Sequence, residues 1–253
     1  MKNTKLSIII PVLHLNRPLN KKRFFMPRQT IADTLLQLSK AVTMSHEIIV
    51  ICNGQDKELI DFVRSHPQIN RYCINSTNVG VARAWNMGAQ LADGDLLCYL
   101  NDDVAVGEGA LEKLCQALLE DSTIGEIGPA GSYWKNCKHE RFVESQNAVA
   151  ADVVSGFCFL MRSDLFHKLG GFDIDFTPAG CEEIDMSYRV RQAGYKCIVD
   201  QSVDIKHFHH HGVSAQKVDI NYMGKVIDTE TLHLINSKKF KEKWDGIHFP
   251  SLD

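Results

Sequence analysis

Asn101-Asp102-Asp103 sets two adjacent carboxylates directly behind an apolar run, Leu96–Leu100. Two acids at the end of a buried strand are costly unless a cation neutralises them. Such hard oxygen donors suit Mg²⁺ or Mn²⁺, ions that usually share their shell with phosphates. A solvated Asp-Asp turn is the alternative, because aspartate favours turns. Glu182-Glu183-Ile184-Asp185, with Arg189 one turn on, is a second acidic group. It fits either an exposed catalytic carboxylate or acids that complement a helix N-terminus. A third group is His207-Phe208-His209-His210-His211-Gly212. There, His207 and His209 alternate as they would on one face of a strand and could ligate a metal, with a solvated loop as the other option. In the fourth, Asn78-Val79-Gly80 opens a helix that carries Arg83 and Asn86. Free N–H groups at such a start can hold a phosphate, unless Asn78 serves only as a cap.

These residues need elements to position them. Leu6–Pro11, Glu47–Cys52, Tyr72–Ile74 and Leu96–Leu100 are apolar, β-branched runs that read as strands. Between them, Ile31–Ala41, Lys57–Ser65 and Val81–Ala92 have helical spacing. The alternation predicts βαβ units and a mostly parallel sheet covered on both faces, an α/β fold. Ligands of such sheets lie at the carboxyl ends of strands, so Pro11, Asn53 and Asp102-Asp103 should share one edge. A basic loop, with Arg17, Lys21, Lys22, Arg23 and Arg28, spans Leu13–Thr30. Further on, Gly109–Glu120 reads as a helix, Asp121–Ala151 as loop-rich, Val153–Met161 as a strand containing Gly156, and Asp164–Leu169 and Glu182–Ala193 as helices. Lys196–Val199 completes the strands, and Asp228–Phe240 is a last helix whose basic end holds Lys238, Lys239, Lys241 and Lys243.

The chain has 253 residues, 28 Lys and Arg against 31 Asp and Glu, and a net charge of −3, too acidic for a dominant nucleic-acid binder. With 44% hydrophobic and 23% charged residues it is an ordinary globular composition, which sets aside disorder and fibrous repeats. A single domain is expected, with residues 1–105 as one half and 106–253 as the other. The eight cysteines include no closely spaced pair and read as buried thiols of a reducing compartment. No apolar stretch has the roughly 20 residues of a membrane helix, and Leu6–Val12 is too short for a signal core. The expected location is the cytoplasm, with at most a peripheral contact at the inner face of the membrane through the basic end of the last helix.

The order of the motifs adds a resemblance. A strand ending in Pro11, Glu47–Gly54, Asn78-x-Gly80 with Asn86-x-Gly88, Leu100–Val104, Gly170–Asp173, Glu182-Glu-x-Asp185 with Arg189 and Gly194-Tyr195, and then His207 follow one another. Together they resemble the family 2 glycosyltransferases of the GT-A fold, from Leu6 to about Trp244. The resemblance implies a Rossmann-like nucleotide-sugar half followed by a loop-rich acceptor-binding half. It implies inverting transfer from a UDP-, dTDP- or GDP-linked sugar to a glycan or lipid-linked glycan acceptor, as in surface polysaccharide assembly, with Mn²⁺ or Mg²⁺ as cofactor. By position, Pro11, Val12 and Leu13 line the base and ribose, and Asn53 stands where the family carries the acid that reads the base. Asn101 replaces the first acid of the D-x-D-like motif, Asp102 faces the ribose or the ion's shell, and Asp103 is the metal aspartate. Glu183 falls at the catalytic base, where aspartate is more frequent, and His207 at the metal histidine, with His209 as its alternate. Acceptor specificity is expected in Asp121–Ala151 and beyond Gly212. Three other functions compete: a sugar nucleotidyltransferase, whose glycine-rich loop after the first strand this sequence lacks; a non-catalytic nucleotide- or glycan-binding domain; and a metal-binding protein built on the histidine run.

Overall fold

The structure, a computed structural model, describes residues 4–18, 20–22, 24–211 and 216–249. Arg23 of the basic loop and Gly212 of the histidine run lie outside the described residues. Strands β1 (Leu6–Val12), β2 (His46–Cys52), β3 (Arg71–Ile74) and β4 (Leu96–Leu100) run parallel in the order β3-β2-β1-β4. Helices α1 (Ile31–Ala41), α2 (Lys57–Ser65) and α3 (Val81–Leu91) make the crossovers. The side-chain alternation of β1 explains why both sheet faces are covered. Ile8 and Ile10 enter one core with Leu35, Leu38, Leu59 and Val63, while Ile9 enters another with Ala82, Trp85 and Ala89. Gly88 lets α3 press onto β1, since a Cβ there would stand 2.2 Å from Cγ2 of Ile9.

The second half extends the same sheet. After β5 (Val104–Val106) and α4 (Ala110–Glu120) comes β6 (Ile124–Gly128). The hairpin of β7 (Gly131–Lys135) and β8 (Lys138–Phe142) leads to β9 (Val149–Ala151), β10 (Val153–Val154), β11 (Cys158–Arg162) and α5 (Ser163–Lys168). Helix α6 (Glu182–Gln192) then precedes β12 (Lys196–Val199) and β13 (Ile205–His207). The main sheet runs β3-β2-β1-β4-β11-β6-β12-β9, with β11 antiparallel to both its neighbours and β12 parallel to β6. A hairpin of β14 (Asp219–Tyr222) and β15 (Lys225–Asp228) leads into α7 (Thr229–Trp244).

Three local expectations are corrected. Asp121–Ala151 is not mainly loop: it holds β6, β7, β8 and β9, and β6 lies inside the main sheet. Its glycines hid it, and close approach explains them. A Cβ on Gly125 would meet Cγ1 of Val190 at 2.5 Å, and one on Gly128 would meet the carbonyl oxygen of Cys158 at 2.6 Å. The strand expected over Val153–Met161 is broken between β10 and β11, around Gly156. Strand β13 stops at His207, and His209–His211 form a 3₁₀ turn, so His207 and His209 do not share a strand face. All eight cysteines are free thiols. Among the described residues no helix is long and apolar enough to cross a membrane.

Candidate active site

The parallel strands carry Pro11, Asn53 and Asp102-Asp103 to one sheet edge, as the alternation of elements requires. The acid turn between β4 and β5 is held from three directions. Thr34 of α1 donates its hydroxyl to the carbonyls of Asp102 and Val104, both at 3.1 Å. The Asn101 N–H donates to Phe157 O at 2.8 Å, and the Phe208 N–H donates to Asp103 O at 2.9 Å. Antiparallel pairing of β13 with β5 puts His207 opposite Val104, beside the turn. Both aspartates are buried.

That register brings His207 Nε2 to 3.2 Å from Oδ1 of Asp103. The oxygen is sealed from solvent and accepts no aligned hydrogen bond. Burial pushes the Asp103 carboxyl up, but His207 and Arg17 outweigh it and hold the group below the usual carboxylate range. A buried carboxylate oxygen without an aligned hydrogen bond, 3.2 Å from an imidazole nitrogen, fits a divalent ion whose remaining ligands are phosphates or water. No cluster of three or more His, Cys, Asp or Glu side chains able to enclose an ion occurs among the described residues, so an ion here would need ligands from outside the protein as well. His209 stands behind, its ring centroid 5.4 Å from that of His207. Arg17, read from sequence only as one charge of the basic loop, reaches both Asp102 and Asp103 with separate guanidinium nitrogens.

A continuous set of contacts links this turn to Glu183. The ring of Phe157 stacks on His207 at 4.6 Å between centroids and an angle of 18°. The preceding residue, Gly156, lies flat against Glu183: a Cβ there would stand 3.1 Å from both Cβ and Cγ of the glutamate. Glu183 sits in the first turn of α6 after Cys181, which adopts a left-handed φ of 75°. Burial raises the Glu183 carboxyl above its ordinary value, while the N–H groups of Glu183 and Ile184 oppose the rise. Its neighbour Glu182 is buried and pushed up further by desolvation and by the Glu183 charge. Asp185 has a different duty. Fully buried, it accepts from Arg189 Nε at 2.8 Å, Trp244 Nε1 at 2.8 Å and Lys243 Nζ at 2.7 Å, pinning α7 to α6. Lys243 also pairs with Asp173, and Lys239 donates to Asp175 O at 2.7 Å, so part of the basic end of α7 serves the fold.

The residues expected at a nucleotide are more internally bonded than the sequence suggested. Oδ1 of Asn53 accepts from the Val79 N–H at 2.9 Å, and its Nδ2 donates to Asn78 Oδ1 at 3.1 Å and Gly80 O at 3.2 Å. Both amide hydrogens are therefore taken, and one lone pair of the oxygen remains. Asn78 also accepts from the Gly80 N–H at 2.9 Å, and Gly80, not Asn78, is the helix cap. The first N–H of α3 is not free at Val81, where it donates to Pro178 O at 2.9 Å. Arg83 donates to Thr177 Oγ1 at 2.8 Å and also meets the Tyr222 hydroxyl. Asn86 is a tie between segments, donating to Phe172 O at 2.9 Å and accepting from Phe172 N at 2.8 Å. Val12 is buried in the core, leaving Pro11 and Leu13 as partly exposed side chains at the strand end.

The fold, a large and mostly parallel central sheet covered by helices, is close to those of solved glycosyltransferases. The crystal structure of GalNAc-T7 with UDP, GalNAc and Mn²⁺ matches with a TM-score of 0.70 at 18% identity, over 96% of this chain and 48% of that one. A Pyrobaculum calidifontis mannosyltransferase in complex with GDP-Man and Mn²⁺ matches with a TM-score of 0.57 at 17% identity, over 78% of this chain and 55% of that one. Residues 7–170 match Glycosyl transferase family 2, and the chain belongs to that family. Polypeptide N-acetylgalactosaminyltransferase 4 of Mus musculus is 24% identical over 69% of this chain and 36% of its own length. An uncharacterized glycosyltransferase of Haemophilus influenzae is 24% identical over 57% of this chain and 52% of its own length. The chain thus spans about a third of the mouse relative and half of the bacterial one.

Proposed function

We propose that this chain transfers a sugar from a nucleotide-sugar donor to an acceptor hydroxyl with inversion, using Mn²⁺ or Mg²⁺ held by Asp103 and His207. The observation that supports this function best is the unbroken contact path Glu183–Gly156–Phe157–His207–Asp103, which connects a carboxylate of raised pKa to the acid turn. UDP and GDP-mannose in the two similar structures support a nucleoside-diphosphate sugar as the donor class. Asp103 and His207 would hold the ion, which when bound would supply positive charge against a departing diphosphate.

Glu183 does the proton chemistry. Its carboxylate takes the proton of the acceptor hydroxyl as that oxygen bonds to the anomeric carbon. The bond to the diphosphate breaks with its electron pair staying on the leaving oxygen. A raised pKa brings the base nearer the pH at which the enzyme works. One displacement inverts the anomeric centre, whereas retention by double displacement needs a second, nucleophilic carboxylate. The acceptor, a glycan or lipid-linked glycan, is assigned to the β7–β8 hairpin with its exposed Phe142 and to the β14–β15 hairpin.

A panel of UDP-, GDP- and dTDP-sugars, screened by thermal shift with Mn²⁺, identifies the donor, because a native-state ligand raises stability. With that donor, Glu183→Gln is expected to lose about 100-fold or more in turnover at unchanged donor affinity. Turnover near that of the unsubstituted protein, or a product that NMR shows to retain the donor's anomeric configuration, would remove Glu183 from the role of base.

A further inference from the structure

Arg17 sits where a cation is needed. It projects from the segment after β1, and its two terminal nitrogens divide between two acids, one on Asp102 Oδ1 and one on Asp103 Oδ2. Both carboxylates are buried, whereas the Arg17 side chain keeps one fifth of its surface exposed. The guanidinium therefore reaches inward from the surface and supplies the charge that two adjacent buried acids require.

We propose that Arg17 is the resident counter-ion of the acid pair and competes with the divalent cation, so that the ion binds tightly only once Arg17 gives way or a diphosphate arrives to offset its charge. This rests on the metal site proposed above. The charges make the case. Two carboxylates carry −2, Arg17 brings +1 and the ion +2, which leaves a buried surplus of +1 when no anion is bound. No other acid forms a three-residue ligand cluster there among the described residues. A nucleoside diphosphate removes the surplus, since its anionic oxygens can meet both cations. Ion and nucleotide then strengthen each other's binding, and by linkage the factor is the same in both directions. Arg17 thus imposes an order on loading: the ion alone is a poor ligand, and the ion with a diphosphate is a good one.

The test is Mn²⁺ binding followed by electron paramagnetic resonance and calorimetry, with no sugar transfer involved. Without nucleotide, Arg17→Gln is expected to bind Mn²⁺ at least about tenfold more tightly than the unsubstituted protein. Arg17→Lys, which keeps a charge but cannot fork across two carboxylates, should fall between them. In thermal melts, Arg17→Gln should be less stable without metal and gain more from saturating Mn²⁺. Addition of UDP or GDP should tighten Mn²⁺ binding far more in the unsubstituted protein than in Arg17→Gln. Equal or weaker Mn²⁺ binding by Arg17→Gln, with binding still abolished by Asp103→Asn, overturns the competition and leaves the metal site standing. Mn²⁺ binding that Asp103→Asn does not affect overturns both.

Discussion

At the amino ends of β1, β2 and β4, Glu47 is buried in a network that engages both of its carboxylate oxygens. Its Oε1 accepts from Ser7 Oγ at 2.7 Å and from the Asp93 N–H at 2.8 Å, and its Oε2 meets Lys5 Nζ at 3.2 Å. At the carboxyl ends of the same strands, Asp103 is equally buried, but its Oδ1 lacks an aligned donor. Burial pushes both groups up, and both are nevertheless held below their ordinary values by their partners. The two sites differ in completion. A carboxylate with both oxygens engaged by its own chain, two hydrogen bonds on one and two cations by the other, fastens strands together. One whose sealed oxygen faces an imidazole without an aligned hydrogen bond is the site proposed above for a divalent ion.

Breaking each site should therefore break a different property. Asp103→Asn is expected to abolish Mn²⁺-dependent donor binding and to lower transfer by about a thousandfold, the scale of losing one preorganised electrostatic partner. Calorimetry with and without Mn²⁺ checks this, and equal donor affinity in the two conditions would remove Asp103 from the metal site. Glu47→Gln should do the converse, costing about 2 kcal/mol of stability through its charged hydrogen bonds while Mn²⁺ still binds. The loss has a pH signature. Because the folded pKa of Glu47 lies below its unfolded value, its stabilisation is present above the ordinary carboxylate range and fades as the pH falls through the lowered value. Melting curves of the two proteins should converge in acid. A gap that stays constant to low pH would mean that the charge of Glu47 contributes nothing.

The carboxyl-edge site was the more legible of the two. Strand, helix and acid-turn periodicities place Pro11, Asn53 and Asp102-Asp103 on one edge, because a parallel sheet leaves no other arrangement. What sequence spacing cannot show is which polar groups already have partners. Asn86 and the first N–H of α3 read as ligand donors, yet Phe172 and Pro178, about ninety residues later, take them. Arg17 read as one loop charge among five, although a cation just past the first strand end is well placed to meet the acids past the fourth. Strand β6 escaped because Gly125 and Gly128 serve close contacts made elsewhere in the chain, and local propensity counts them against a strand.

A third buried acid sharpens the distinction. Glu126 on β6 also has an unanswered oxygen, Oε1, while its Oε2 accepts from Ser187 Oγ at 2.7 Å. No cation is paired with it among the described residues, and burial pushes it up to about 8. It is therefore completed by its own proton. In an acid whose folded pKa is raised, the folded state binds more protons than the unfolded state between about 4.5 and about 8, so stability falls as pH rises through that window. Glu126→Gln should flatten this slope. Relative to the unsubstituted protein it should gain on the order of 2 kcal/mol between pH 5 and pH 8. Parallel pH–stability curves for the two proteins would show that Glu126 ionises without cost.

The smallest effect lies between the two functional groups, at Gly156. An alanine methyl there would stand 3.1 Å from Cβ and Cγ of Glu183, tighter than ordinary contact, while Phe157 beside it supports His207 by stacking. The glutamate can give by a few tenths of an ångström, so Gly156→Ala should fold with a loss of about 1 kcal/mol. In the role proposed for it, a Glu183 carboxylate displaced by that much takes its proton less well. Turnover should fall about tenfold, with donor affinity and Mn²⁺ binding unchanged, because Asp103 is two contacts further along the path. Equal losses in turnover and in Mn²⁺ affinity would mean that the Gly156–Phe157 segment supports the ion site and the base as one unit.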